Sequence, residues 1–286
     1  MVLKAPHLYT GRNKLPKPVV PYPFEKRSKG YQRVALVDLS NGAVHQATGI
    51  CELQPNGSVD YCLHTNEEAI YVLEGELEVL RDREAFRLSK DDYVFVPYGV
   101  SHAYRNTGDK VVRWFEAQSP QPKPAGGWQD TFFFKAQWPE EVSKPDFDDP
   151  RTRHMGHFKE VGGESPQVIG VQGLTVREFI TPELGALHMV VHRGHLEPGG
   201  TVPLHDHSVE ESFYALSGEM DLEIEGTVYK LQPGDLALAG VGAAHSWHNI
   251  GKEPFRWIET ITPQFVAPSS TRIYSYWEKL KILQDG

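Results

Sequence analysis

The feature that most constrains the fold of this 286-residue chain is an internal duplication. When each residue is compared with the one 143 positions further on, identical residues recur without a gap between residues 42–120 and 185–264. The matched pairs include Gly42 and Gly185, Glu68 and Glu211, Gly75 and Gly218, His102 and His245, and Trp114 and Trp257. Self-similarity at a fixed offset is the signature of a repeated structural unit. We therefore expect two copies of one domain.

Both copies have the sequence character of β-structure. The runs 71–80 and 214–224 each contain a glycine that separates two strand-like halves. The 26 glycines and 21 prolines of the chain favour tight turns between strands. Neither copy contains a long amphipathic helical pattern. The predicted fold class is all-β.

Three segments lie outside the two copies. Residues 1–41 are rich in proline, which predicts an extended arm that lies on a neighbouring domain or subunit, or else a disordered terminus. Residues 121–184 include an aromatic cluster and are predicted to form a linker that packs on the domains. Residues 265–286 are predicted to contain a short C-terminal helix. Its apolar residues at helical spacing are Trp277, Leu280 and Leu283.

Four residues of the second copy have the side chains and spacing of a metal site. His205, His207 and Glu211 are all odd-numbered within a strand-like stretch, so alternation can direct them to one interior. His245 follows downstream, after a glycine-containing turn. Three imidazoles and a carboxylate suit Mn, Fe, Ni, Co or Zn, with coordination positions left for water or substrate. We therefore predict that these four residues bind a divalent transition metal and carry the catalytic chemistry.

The same alternation predicts an apolar wall beside this site. If His245 points inward then Trp247 does too, and if Glu211 does then Phe213 follows. Such a wall excludes water and strengthens charge interactions at the metal.

The first copy has a different residue at one ligand position. Its equivalent residues are Cys62, His64, Glu68 and His102, so a cysteine replaces the leading histidine. A thiolate can bind a metal and would shift the preference towards softer ions such as Zn or Fe(II). Alternatively, Cys62 is a small buried apolar residue and the first site is weak or empty. The sequence leaves both interpretations open, and the four residues form a possible second metal site.

The second copy resembles the cupin superfamily. Gly199 to Gly218 matches the first cupin motif, G-x5-H-x-H-x3-E-x6-G, without a mismatch. The second motif, G-x5-P-x-G-x2-H-x3-N, has glycine in place of the family's proline and is otherwise matched by Gly234, Gly242, His245 and Asn249. The resemblance implies two tandem cupin barrels, of the double-stranded β-helix or jelly-roll type, with a metal at the centre. The organisation resembles that of ureidoglycine aminohydrolase-like and germin-like bicupins.

The resemblance also implies a class of activity. Cupin sites of this kind imply a metal-dependent enzyme that acts on a small oxygen-rich or enolisable metabolite, most often a dioxygenase. Hydrolysis of the ureidoglycine aminohydrolase type, decarboxylation and isomerisation are alternatives, and so is a non-catalytic metal-binding or ligand-binding bicupin. The aminohydrolase group ends its ligand string in glutamine, whereas this chain has His245.

Composition limits the partners. A net charge of -9 and a pI near 5.8 argue against nucleic acid and anionic membrane surfaces. No run of 18 apolar residues and no signal-peptide pattern is present, so we expect a cytoplasmic protein. The expected partners are a small-molecule substrate and a second copy of the chain in a homodimer.

Overall fold

The computed structural model of the chain describes residues 6–81, 83–127, 129–135, 137–159, 170–264 and 271–273. Helical structure in these residues is limited to short 3-10 turns at Arg12–Lys14, Tyr22–Phe24, Leu39–Asn41, Pro150–Thr152 and Pro182–Leu184. The described part of the chain has no helix whose length and hydropathy would let it cross a membrane. The predicted C-terminal helix lies outside the described residues.

Strands account for most of the described chain and confirm the predicted all-β class. They are β1 (His7–Thr10), β2 (Ser28–Val37), β3 (Ala47–His64), β4 (Glu67–Glu74), β5 (Glu76–Arg81), β6 (Glu84–Ser89), β7 (Asp92–Val96), β8 (His102–Arg105), β9 (Val112–Ser119), β10 (Thr131–Phe133), β11 (Met155–His157), β12 (Gln172–Ile180), β13 (Val190–His207), β14 (Glu210–Ser217), β15 (Met220–Ile224), β16 (Thr227–Leu231), β17 (Leu236–Ala239), β18 (His245–His248), β19 (Phe255–Thr262) and β20 (Thr271–Ile273).

These strands form two curled antiparallel sheets with the same topology. The first has the order β11-β7-β4-β9-β3-β8-β5-β6, with β2 and β10 also on β3. The second has the order β1-β17-β14-β19-β13-β18-β15-β16, with β12 and β20 also on β13. Strands at the same place in the two orders are copies of each other, except at the outer edge, where β11 in the first sheet and β1 in the second come from different parts of the chain. The two barrels predicted from the duplication are confirmed, and both sheets include strands from beyond 42–120 and 185–264.

The outer edge of each barrel is covered by a segment that comes from elsewhere in the chain. Strand β1, in the N-terminal arm, pairs with β17 of the second barrel. Strand β11, in the linker, pairs with β7 of the first barrel. Residues 7–10 of the predicted arm therefore lie on the second barrel, whereas residues 28–37 form β2 and pair with β3 of the first barrel.

Alternation along the strands builds both the barrel interiors and the contact between the barrels. On β4, Ile70 and Val72 pack inside the first barrel, whereas Ala69 and Tyr71 face a core shared with the second barrel. Both faces of β4 are therefore buried, which explains its nearly continuous apolar sequence. The shared core includes Phe95, Phe115, Phe179, Met189, Leu236 and Ile258.

One turn of the first barrel keeps its shape without the glycine found in the second. Asp91 stands where the second barrel has Gly234, and both residues have a positive φ, of 68° and 87°. The Asp91 carboxylate accepts a hydrogen bond of 2.6 Å from the Tyr71 hydroxyl. This departure from the cupin motif therefore preserves the turn and adds a side-chain contact beneath it.

Candidate metal centres

The structure brings together the four residues predicted as the second-barrel site. His205 and His207 lie on β13, and His205 is paired with His245 of β18 across the sheet. The ligand nitrogens of the three histidines lie within 4.8 Å of one another. Glu211 of β14 places Oε1 3.2 Å from His207 Nε2 and Oε2 3.1 Å from His245 Nε2. Three imidazoles and one carboxylate therefore converge on a single point inside the barrel.

A hydrogen bond on the other ring nitrogen orients each imidazole. His205 Nδ1 donates to the Pro203 carbonyl at 2.7 Å, and His245 Nδ1 donates to the Ala243 carbonyl at 2.8 Å. A carbonyl oxygen only accepts, so these two bonds leave a lone pair on Nε2. His207 Nδ1 lies 2.9 Å from the Thr271 hydroxyl of β20. This outer arrangement is the one that metal-binding histidines require.

The buried polar atoms of the site fit a divalent metal ion. Glu211 Oε2 and His245 Nε2 are buried and have no hydrogen-bond partner among the described residues. Burial and the neighbouring histidines lower the pKa of His205 to about 3 and of His207 to about 2, so both rings are neutral donors at pH 7. Burial, and after it the nearby Glu259, raises the pKa of Glu211 well above its usual value. A cation between these atoms would satisfy all of them.

Aromatic rings lie beside this cluster. The Phe213 ring centroid is 5.9 Å from His245 and 5.3 Å from Trp247, and Trp247 lies 6.0 Å from His205. Phe213 is fully buried and Trp247 nearly so. The structure thus places both predicted residues next to the candidate ligands, and their role as a pocket wall stays a prediction.

Behind the cluster lies a buried carboxylate that the sequence reasoning missed. Glu259 Oε2 accepts hydrogen bonds of 2.8 Å from both Trp257 Nε1 and His192 Nε2. It shares a barrel wall with the ligands because β19 runs between β13 and β14. The available signal was a glutamate within a buried apolar strand, repeated in the first copy as Glu116.

The first barrel assembles its four predicted residues in the same way. Cys62 is paired with His102 across β3 and β8, and its Sγ lies 3.8 Å from His102 Nε2 and 4.0 Å from His64 Nε2. Glu68 Oε2 lies 3.4 Å from both imidazoles and has no hydrogen-bond partner among the described residues. The Nδ1 atoms are held by the Val100 carbonyl at 3.0 Å and the Thr131 hydroxyl at 3.2 Å.

The cysteine in this cluster has the electrostatic surroundings of a metal-binding thiolate. Burial opposes its ionisation, but His102 and His64 lower the pKa of Cys62 to about 7. Its Sγ and the two histidine nitrogens lie within 4.8 Å of one another. This donor set of thiolate, two imidazoles and a carboxylate fits a softer divalent ion.

A cavity of about 920 Å³ opens onto the first cluster. His64 and Glu68 line it at the barrel interior. Residues 21–27 of the arm and residues 121–127 of the linker line another part of its wall. Segments outside the duplicated copies therefore shape this cavity, and the offset comparison could not predict it.

Comparison with known proteins assigns the chain to a class. A family model described as "Cupin domain" matches residues 49–117 and 192–261, one stretch in each barrel. The chain is 36% identical over 111 residues to "Polyketide synthase CurC" of Streptomyces cyaneus, covering 38% of this chain and 71% of that protein. It is 35% identical over 107 residues to "Tetracenomycin polyketide synthase protein TcmJ" of Streptomyces glaucescens, covering 37% and 72%.

Solved structures share the whole two-barrel architecture. A putative glyoxylate induced protein from Pseudomonas aeruginosa superposes with a TM-score of 0.69 at 17% identity, covering 94% of this chain and 92% of that one. Salicylate 1,2-dioxygenase from Pseudaminobacter salicylatoxidans gives 0.68 at 14%, covering 88% and 81%. An oxalate decarboxylase variant from B. subtilis gives 0.67 at 16%, covering 97% and 81%. At these identities the similarity establishes a common fold.

Two tandem β-barrels, each with imidazoles and a carboxylate converging in its interior, define a duplicated protein with two candidate metal centres. The chain belongs to the cupin family, and it is a bicupin.

Proposed function

We propose that this bicupin is a metal-dependent enzyme that acts on a small oxygen-rich or enolisable metabolite, and that the reaction is a dioxygenation. The observation that carries the proposal is the convergence of His205, His207, Glu211 and His245, with Nε2 of each ring directed inward. A divalent ion bound there would act as a Lewis acid on substrate oxygens and, if redox-active, would activate dioxygen.

The chain's own residues define what such a site does to its substrate. The Nδ1 hydrogen bonds fix the three rings, so the ligand set is formed before substrate arrives. Phe213 and Trp247 would make one side of the site apolar, which excludes water and strengthens charge interactions at a bound ion. The dioxygenase among the similar structures supports this reaction class.

The curated relatives support the substrate class and a second candidate reaction. Two of them are named as polyketide synthase proteins, and polyketide chains carry repeated carbonyl groups with acidic hydrogens between them. Such a substrate is both oxygen-rich and enolisable. A second candidate function is therefore rearrangement or bond cleavage of such a carbonyl compound by Lewis-acid chemistry without dioxygen, which includes decarboxylation, isomerisation and hydrolysis.

The first test is metal content of the purified protein and its variants. We expect His205→Ala to remove the metal of the second barrel and Cys62→Ala to leave it in place, because the two clusters lie in different barrels. Metal analysis by mass spectrometry after gel filtration measures both. A protein without bound metal that also fails to take up Mn, Fe, Ni, Co or Zn would favour the non-catalytic alternative.

The second test separates the two reactions. Dioxygen uptake is followed with an electrode while small diketones, catechols and hydroxy acids are supplied to the metal-loaded protein. A dioxygenase consumes oxygen with substrate and loses this activity in Glu211→Gln, while the matched variant Glu68→Gln retains it. Substrate loss without oxygen uptake would transfer the proposal to the non-oxidative reactions. The homodimer and the cytoplasmic location expected from the sequence stay predictions.

A further inference from the structure

The cavity of the first barrel has the size and lining of a ligand site that the second-barrel chemistry does not use. Its volume of about 920 Å³ falls in the range of small-molecule sites. Phe24, Tyr31 and Phe133 contribute an aromatic wall, with the Phe24 ring centroid 5.6 Å from each of the other two. These rings can cover an apolar body of a ligand.

A buried guanidinium lies in the same wall. Arg33 of β2 lines the cavity, and 11% of its side chain is exposed. Its Nε donates to Glu116 Oε2 at 2.6 Å, whereas its Nη2 is buried and has no hydrogen-bond partner among the described residues. An unsatisfied charged donor in an interior is costly. A ligand carboxylate in the cavity can pair with the guanidinium of Arg33, because the planar fork of arginine matches carboxylate geometry.

The absence of a side chain at Gly49 leaves the space that the Arg33 guanidinium occupies. Gly49 of β3 lies against it, and a Cβ at residue 49 would sit 2.7 Å from both Cζ and Nε of Arg33. No larger residue is compatible with the observed side-chain path. In the second barrel the equivalent positions are Val176 and His192, so the second copy has neither the guanidinium nor the space for it.

At three further positions the first barrel has a polar side chain where the second barrel has a more apolar one. Asn66, Tyr104 and Gln118 all line the first cavity. Their equivalents in the second barrel are Val209, Trp247 and Ile261. Because both barrels have the same topology, the fold does not require polar groups at these places. The polar lining is a property of the first cavity itself.

We propose that the first barrel binds a small organic carboxylate. The carboxylate pairs with Arg33, and the apolar or aromatic body of the molecule packs against Phe24, Tyr31 and Phe133. This carboxylate site is in a different barrel from the candidate metal cluster of His205, His207, Glu211 and His245. The proposal therefore does not depend on the proposed enzymatic activity.

The test is isothermal titration calorimetry with three acids and their neutral amides: benzoate, phenylacetate and cyclohexanecarboxylate against benzamide, phenylacetamide and cyclohexanecarboxamide. We expect at least one acid to bind about tenfold or more tightly than its amide, the preference that a charge-assisted hydrogen bond gives. The double variant Arg33→Gln with Glu116→Gln should lose that preference. Changing both partners avoids leaving a buried glutamate unpaired.

Two controls keep the result decisive. Ala47→Val introduces at a cavity-lining position the residue of the second barrel, leaves Arg33 and Glu116 intact, and should weaken acid binding even if the double variant does not fold. His205→Ala should leave acid binding unchanged. The proposal is overturned if no acid is preferred over its amide, if a folded double variant keeps the preference, if Ala47→Val binds acid as the wild type does, or if binding is lost in His205→Ala.

Discussion

Two threonines hold equivalent imidazoles in the two barrels. The Thr131 hydroxyl lies 3.2 Å from His64 Nδ1, and the Thr271 hydroxyl lies 2.9 Å from His207 Nδ1. Each threonine begins a three-residue strand, β10 or β20, that pairs alongside the ligand strand. The segment that follows each barrel thus returns to complete the outer contacts of its candidate metal site.

These contacts predict the effect of removing one hydroxyl. Thr271→Val keeps the shape of the side chain but removes the hydrogen bond to His207 Nδ1, and loss of such an outer hydrogen bond weakens metal binding by roughly 10–100-fold. We expect this loss in the second barrel, measured by competition with a chromophoric chelator. Thr271→Ser should retain the affinity, and Thr131→Val should affect only the first site. Equal affinity in Thr271→Val and wild type would show that β20 does not orient the ligand.

The candidate ligands were predictable from the sequence, whereas the residues around them were only partly so. One fixed offset aligned His102 with His245 and Glu68 with Glu211, because these residues lie inside the duplicated copies. The two threonines are 140 positions apart, so a gap of three residues hides their equivalence from a gapless comparison. Arg33 could not be predicted as a cavity residue because its position depends on the absence of a side chain at residue 49.

Strand β13 shows how an element is fitted to its neighbours. It carries two of the three candidate histidine ligands, His205 and His207, and it pairs with β12, β18, β19 and β20. In its middle, Gly194 lies beneath the Trp257 ring, and a Cβ at residue 194 would sit 2.1 Å from ring atom Cζ2. The glycine therefore sets the depth at which Trp257 packs in the core and donates to Glu259.

This close approach predicts a large effect from one methyl group. Gly194→Ala forces the fully buried Trp257 ring to move, and overpacking of this kind typically costs about 1–3 kcal/mol. We expect the free energy of unfolding in urea to fall by that amount. Gly11→Ala is the matched control, since its Cβ would meet only a contact of 3.4 Å, and it should change stability by less than about 0.5 kcal/mol. Similar losses in the two variants would contradict this account of Gly194.

The two barrels are joined by a reciprocal pair of buried carboxylates as well as by the shared apolar core. Glu67 of the first barrel accepts hydrogen bonds from the backbone N–H groups of Leu187 and His188, at 2.7 and 3.0 Å. Glu210 of the second accepts from the N–H groups of Val44 and His45, at 2.5 and 2.9 Å. Each carboxylate thus accepts two hydrogen bonds from the backbone of the other half. The duplication extends to the contact between the copies.

Because the core between the barrels is continuous, we expect the molecule to unfold as one cooperative unit. Neither half can open without exposing Phe115 and Met189, which pack in the same cluster. Differential scanning calorimetry should give one transition whose calorimetric and van't Hoff enthalpies agree. Two resolved transitions in the wild type would show that the barrels are stable separately.

Substitutions of Glu67 and Glu210 also test whether the two barrels unfold together. Glu67→Ala removes the acceptor of two backbone N–H groups, and hydrogen bonds to a charged group contribute about 1.5–3 kcal/mol each, so we expect a lower stability. Glu210→Ala does the same at the equivalent position of the second barrel. Glu67→Gln retains one acceptor oxygen and should lose less. Because every one of these bonds crosses from one half to the other, the loss is shared by both barrels. A substitution in one half should therefore lower the temperature of the single transition, whereas independent barrels would show the shift in one of two transitions only.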